Sequence, residues 1–558
     1  MNSLPLASQL ELALQRRGKE RMELILLSSR AQSLVRMLPE EELYLTIKEA
    51  GEEESLPLLA MADHRQRTYI FDLEFWADQA LDPERFFRWL DLLRQADEDQ
   101  LRDWLKRADP ELLLVILQKA VRVYVTDPDD LGAEPWREKE LFTLDEQYYF
   151  ELIDDRHRAI IERILSHLRD IEQEKFYAII DDVRMEVGAE TEDAALRVRQ
   201  GRLEDHGFYT FNEAFRIYQY LDPGKLKDLE KHPERPGHNP EPAPRYALAL
   251  AEKIPRLLAL ALKELSLAEL EDFHHQFARL ANKVMTADAL DLSELSSLRT
   301  AIEKVYGYLE IGLEYWAEGG LPKAVRLLKT QWLEHIFQAG FSQVLWLSKR
   351  AQRIKQSDWF QFLKEPFHLF GDPDGKRIQA LVLSRPKFYS GEKENELMEF
   401  KSLNEVRLAQ ESVDRAEGWL HLVFEGLGLT REKLREVISL YPLELSFKVI
   451  LATALVNGAI KIGPQILPLT PKELSDFIAS AMTPAEPPRK IDERLKDNFI
   501  TWLLSHIPAS KVKEDLAREL ALSAIISIEE ELGLIKEPDN ISPRYITSVI
   551  MQPEAPGG

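Results

Sequence analysis

The chain has 558 residues, 45% of them hydrophobic and 30% charged, with a formal net charge of −24 and no cysteine. That length exceeds what a single core usually serves, so more than one globular domain is expected, and the acidic balance argues against nucleic acid as the main partner. The missing thiols exclude disulfides, thiolate zinc sites, iron–sulfur clusters and cysteine nucleophiles.

The N-terminus, "MNSLPLASQLELALQRRGKE", has no charged region ahead of an apolar core and no small-residue cleavage site. A cytoplasmic protein is therefore expected. From Leu38 to Val125 the chain reads as short helices opening at "LPEEE", "LDPERF", "ADEDQL" and "ADPELL". Asp82 and Asp109 each stand before a Pro-Glu pair, where an aspartate caps the free N–H groups and proline suits the first turn. The segment "DPDDLGAEPWRE" then sets Asp127, Asp129, Gly132 and Glu138 at positions one, three, six and twelve of a calcium loop. Leu131 stands where a further oxygen ligand belongs and Pro135 intrudes, so an acidic surface loop is the competing reading. "ELFTLDEQYYFELI" (140–153) alternates around Tyr148, Phe150 and Leu152, the pattern of a hairpin.

The stretch "RVRQGRLEDHGFYTFNEAFRIYQYLDP" (197–223) holds a capping-box pair, Thr210 with Glu213, behind a glycine suited to positive φ. Phe208, Phe211, Phe215 and Tyr218 are expected along one inward face. Asp193 lies four residues before Arg197, the spacing of a helix ion pair. Arg197, Arg199 and Arg202 are the candidate contacts to carboxylates or phosphates of a partner. Five prolines in "KHPERPGHNPEPAPR" (231–245) forbid helix or sheet. The expected division is thus an N-terminal helical-repeat domain over 1–230, a linker over 231–245, a helical domain over 246–550 and a frayed tail over 551–558.

Beyond the linker, Ser266 with Glu269, Ser402 with Glu405 and Thr470 with Glu473 repeat the capping-box spacing. Glu271 with His274, and Glu365 with His368, match the Glu-x-x-His pairs of di-iron bundles, although Pro366 interrupts the second. Asp127, Asp129, Glu138, Glu271 and His274 are therefore the candidate metal ligands, with coincidence as the alternative. Between Lys323 and Lys364 basic residues outnumber acidic ones, with Lys349, Arg350 and Arg353 clustered among Trp332, Trp346 and Trp359. Basic and aromatic groups together can hold single-stranded nucleic acid; the cluster is read instead as a second surface for a protein partner, and the competing account has cations at a helix end and tryptophans in the core. "IQALVL" (378–383) favours β structure. The run "VILATALVNGAI" (449–460) is too short to span a bilayer.

The helix starts between Leu38 and Val125 resemble the helical repeats in the N-terminal domain of MgtE-type magnesium transporters and in flagellar motor switch proteins. The arginine stretch, "SRPKFYSGE" with "FKSLNEVRLAQESVDRAEGWL", and "ILATALVNG" resemble an uncharacterised bacterial family built on a domain of unknown function. That resemblance implies one mostly helical protein and carries over no catalytic residue. The combined expectation is a mainly α, multi-domain helical-repeat or bundle architecture with small β-hairpin excursions. The function expected is a non-catalytic cytosolic interaction or scaffold protein with a protein partner, no membrane insertion and no cofactor. A metal-dependent enzyme or metal-binding regulatory protein is the alternative.

Overall fold

The computed structural model describes residues 4–77, 79–126, 141–185, 188–231, 246, 254–360, 363, 366–392, 396–440, 445–461, 463–507 and 512–552. They form a mainly α-helical, multi-domain bundle in which the strands pair as small antiparallel sheets. Two compact units are present, Met1–Gly340 and Phe341–Gly558. The proline-rich segment after Lys231 and the tail after Gln552 lie outside the described residues. No described helix is long and apolar enough to cross a membrane.

In the first unit short helices succeed one another from Leu6–Leu14 to Pro110–Ala120. Their apolar faces meet around Phe71, Phe75, Phe86, Trp89 and Trp104, all at most 2% exposed and in mutual ring contact. The expected hairpin forms between Phe142–Thr143 and Tyr148–Leu152, and Val121–Val125 pairs with its other edge. The Glu146 N–H donates to the Thr143 hydroxyl at 2.9 Å and closes the hairpin turn.

Helix starts mostly follow the sequence punctuation. Asp82 accepts the N–H groups of Glu84 and Arg85 at 2.9 and 3.3 Å, and the Ser266 and Thr470 capping boxes are complete. Asp109 makes no cap hydrogen bond; its carboxylate instead accepts from Arg202 at 2.7 Å. Thr210 does not cap either, because its hydroxyl donates to Glu213 at 2.7 Å. The helix there spans only Phe211–Ala214 before a 3₁₀ turn, Phe215–Tyr218. The expected aromatic face consequently splits. Phe208 and Tyr218 are buried, whereas Phe211 and Phe215 are 49% and 40% exposed.

In the second unit the apolar run after Lys448 belongs to the helix Phe447–Ile460, whose residues Ile450 to Val456 are almost wholly enclosed. Hydrophobic residues all round it mark a central core helix. It packs against the helices Pro471–Ala481 and Glu514–Leu532. The "IQALVL" segment is not β structure: its first half closes the helix Asp374–Leu381, and pairing occurs later, between Phe388–Tyr389 and Leu397–Met398. Burial of Ile378, Ala380 and Leu381 against the helix Leu403–Leu420 overrides the local β preference.

The helix Leu295–Trp316 crosses the N-terminal part of Leu333–Lys355 at backbone contact. A Cβ on Gly312 would fall 2.0 Å from the Ile336 carbonyl oxygen, and one on Gly340 2.1 Å from that of Tyr308. Neither carbonyl can move without separating the helices. Gly201, by contrast, lies in the helix Gly188–Asp205 with nothing within 4 Å of an added Cβ. Gly312→Ala should cost about 3 kcal/mol in urea unfolding, the upper range for overpacking. Gly201→Ala should stabilise by about 0.5–1 kcal/mol, since only unfolded-chain entropy changes. Equal effects at the two positions would contradict the crossing.

Candidate functional site

The arginine-bearing helix Gly188–Asp205 is fastened to the helix His64–Glu74 by one carboxylate. Asp72, buried to 4% exposure, accepts both Nε and Nη2 of Arg202 at 2.7 Å. Nη1 of the same guanidinium reaches Asp109 at 2.7 Å. Arg199 donates from Nε to the Asp72 carbonyl at 2.6 Å and lies over the Trp76 ring. Burial raises the Asp72 carboxyl, with Arg202 and Arg199 opposing it. Burial also lowers Arg199, to about 10. Arg202 moves the other way: burial works against its charge, but Asp72 and Asp109 together outweigh it.

Beside this fork opens a cleft of about 530 Å³, floored by Tyr69 and Asp72 and walled by Glu40, Glu41, Arg65, His206 and Arg279 among others. Such a volume falls in the range of small-ligand sites. His206 reaches it from the turn that ends the arginine helix. Gly207, at φ +86°, lets that turn lie so close to the helix Leu267–Ala287 that an added Cβ would meet the Arg279 Cα at 2.8 Å. Asn282 donates to the His206 carbonyl at 2.7 Å and fixes the same approach. The imidazole Nδ1 is 2.8 Å from Glu41, and the ring packs on Tyr69 with centroids 4.6 Å apart. Burial opposes the charged imidazole, but the Glu41 hydrogen bond and charge prevail and raise it above its ordinary 6.5. His64, on the same cleft, is lowered by burial and then by Arg107 and Arg67. Arg65 and Arg279 are exposed; Arg65 meets Glu40 at 2.5 Å, and Arg279 donates to the Asp205 carbonyl at 3.5 Å.

Of the residues marked from sequence, Arg202 alone lines this cleft. Arg199 is enclosed in the fold, and Arg197 is exposed without the expected Asp193 ion pair among the described residues. In the second unit Arg350 is held by Asp414 at 2.6 Å and Glu417 at 2.8 Å and lies over the Trp346 ring, while Lys349 and Arg353 are exposed. Trp332 and Trp346 are 37% and 47% exposed, and Trp359 stacks on Phe424 at 3.9 Å. Asp127, Asp129, Glu138 and Glu365 lie outside the described residues. His274 is buried on the helix Leu267–Ala287 with Glu271 half-buried one turn before it. The group of possible metal ligands found among the described residues is a different one, Glu84, Asp154 and His157. Arg156 already pairs with both of its carboxylates.

Arg202→Met strands the buried Asp72 carboxylate and should cost about 3 kcal/mol. The double variant Asp72→Asn/Arg202→Met should lose less than the two singles summed; strict additivity in denaturant titrations would mean the fork carries no coupling. For His206 the sign follows from its raised value. Below about pH 6.5 the ring is charged folded and unfolded, so the Glu41 pair contributes fully; that contribution is lost as pH rises through the folded value. The Tm advantage of wild type over His206→Gln should therefore shrink between about pH 5.5 and 8.5. A constant difference would show that the pair does not form.

No curated protein and no solved structure matches this chain, so the likeness to magnesium transporters and flagellar switch proteins gains no support. A family model does match, over residues 1–552. The chain belongs to the family of unknown function DUF6178.

Proposed function

We propose that this protein is a cytosolic interaction or scaffold protein whose first unit holds an anionic segment of a protein partner in the cleft beside His206. The observation that supports this reading is the set of donors left over there. Arg65 and Arg279 are exposed on the cleft wall, each with guanidinium nitrogens that have no partner among the described residues. Guanidinium groups held near a concave surface suit carboxylate or phosphate recognition. Nucleic acid fits poorly with a chain carrying 96 acidic against 72 basic side chains. The metal-dependent alternative would rest on Glu84, Asp154 and His157, where Arg156 competes for the same carboxylates.

The test is purification of the tagged protein with its partners, alongside titration of the full chain with a fluorescent Glu-rich peptide. A partner retained at near-equal stoichiometry, and peptide binding that weakens with salt, are expected. Arg65→Glu/Arg279→Glu should abolish both, with some loss of Tm because the Glu40 that faces Arg65 is buried; Arg279→Glu alone, whose guanidinium meets a carbonyl, should weaken binding without lowering Tm. Binding that survives charge reversal would place the partner elsewhere.

A further inference from the structure

We propose that the cleft is built for a phosphoryl group, carried by a phosphorylated segment of a protein partner and held between Arg65, Arg279 and His206. This rests on reading the cleft as the partner site and names what the site recognises.

The donor inventory separates phosphate from carboxylate. Asp72 shows how this chain satisfies a carboxylate: one guanidinium fork supplies two parallel bonds to its two oxygens. The cleft offers more than that. Arg65 uses Nε on Glu40 and leaves Nη1 and Nη2; Arg279 uses Nη2 on a carbonyl and leaves Nε and Nη1; His206 uses Nδ1 on Glu41 and leaves Nε2, all counted among the described residues. These groups come from three elements: the helix His64–Glu74, the helix Leu267–Ala287 and the turn after Asp205. Against these five nitrogens a carboxylate sets about four lone-pair sites on its two oxygens. A phosphomonoester has three oxygens and carries a charge of about −1.5 to −2.

The acidic groups of the cleft do not cancel this. Glu40 faces Arg65, Glu41 faces His206 and Asp72 faces Arg202. Asp205 is a wall carboxylate that makes no ion pair among the described residues, although its charge helps to hold the proton on neighbouring His206. His206, raised by Glu41, keeps its proton nearer neutrality than a free imidazole and adds a third cation. The volume, about 530 Å³, also exceeds what a phosphate ion fills, leaving room for the residues that flank it in a peptide.

Three Gly/Ser-rich peptides, identical except for one central serine, glutamate or phosphoserine, would be titrated against the full chain by fluorescence anisotropy. The phosphoserine peptide should bind at least about tenfold tighter than the glutamate peptide, the worth of one added charge-assisted hydrogen bond. Arg65→Gln and Arg279→Gln, both at exposed positions, should each weaken it by about tenfold. Asp205→Asn should tighten it severalfold, a gain that misfolding cannot mimic. Equal binding of the glutamate and phosphoserine peptides would overturn phosphate recognition while leaving the partner reading intact; no binding of either would remove both. Inorganic phosphate competing as strongly as the phosphopeptide would overturn the assignment to a partner segment.

Discussion

The arrangement of the first unit around its cleft depends on a single buried carboxylate, Asp72. Taken out of water alone, such a group would cost several kcal/mol or take up a proton. Arg202 meets it with two bonds, and Arg199 meets the carbonyl of the same residue. One residue on the helix His64–Glu74 thus fixes where a helix more than 100 positions later in the chain must lie. The third nitrogen of Arg202 draws Asp109 away from its capping role and adds the start of the helix Pro110–Ala120 to the junction. Once that helix is placed, its last turn has little choice. Gly207 presses on Arg279, and His206 is delivered to Glu41.

The same economy recurs elsewhere in an acidic chain without thiols to cross-link. Arg21 and Glu42 form a pair at most 3% exposed, and Arg21 also donates to Thr46 and the Ala13 carbonyl. Glu74 collects Tyr44, Trp89 and Lys48 at 2.7, 2.9 and 2.8 Å. Glu310 accepts the N–H groups of Leu257 and Leu258, both at 2.8 Å, at the start of the helix Arg256–Lys263, a buried anion at a helix N-terminus. Buried ionic groups of this kind contribute less to net stability than apolar contacts of the same volume. In the fold they join separate helices: Arg21 to Glu42, Glu74 to Tyr44 and Trp89, and Glu310 to Leu257 and Leu258.

Sequence reading reached the helical class, the capping boxes at Ser266 and Thr470, the hairpin ending at Leu152 and the turn at Gly207, because each is written in a few adjacent residues. It failed where a side chain had a distant alternative. Asp109 looked like a cap and became an ion-pair partner; Phe211 and Phe215 looked like core and stand exposed because their helix lasts one turn; "IQALVL" looked like strand and is drawn into a helix by its buried face. The arginine stretch stood out in the sequence, but the roles of its residues were not legible there. Arg199 and Arg202 turn inward, and the cleft draws its free donors from Arg65, His206 and Arg279. No local pattern links residues 65, 206 and 279, since their meeting is a product of tertiary packing.

The glycine crossing at Gly312 and Gly340 bears on how such a chain can change over time. Each glycine is required by the carbonyl opposite it, and the two contacts lie on the same pair of helices. A first side chain at either position pushes apart the backbones that made the other position tight, so the benefit of glycine at the second site disappears with the first substitution. Leaving this geometry therefore takes an initial step that lowers stability before any compensating change is reached, whereas returning to it from a loosened crossing is downhill. The contact behaves as a ratchet: with both glycines in place, a single substitution at either one is uphill.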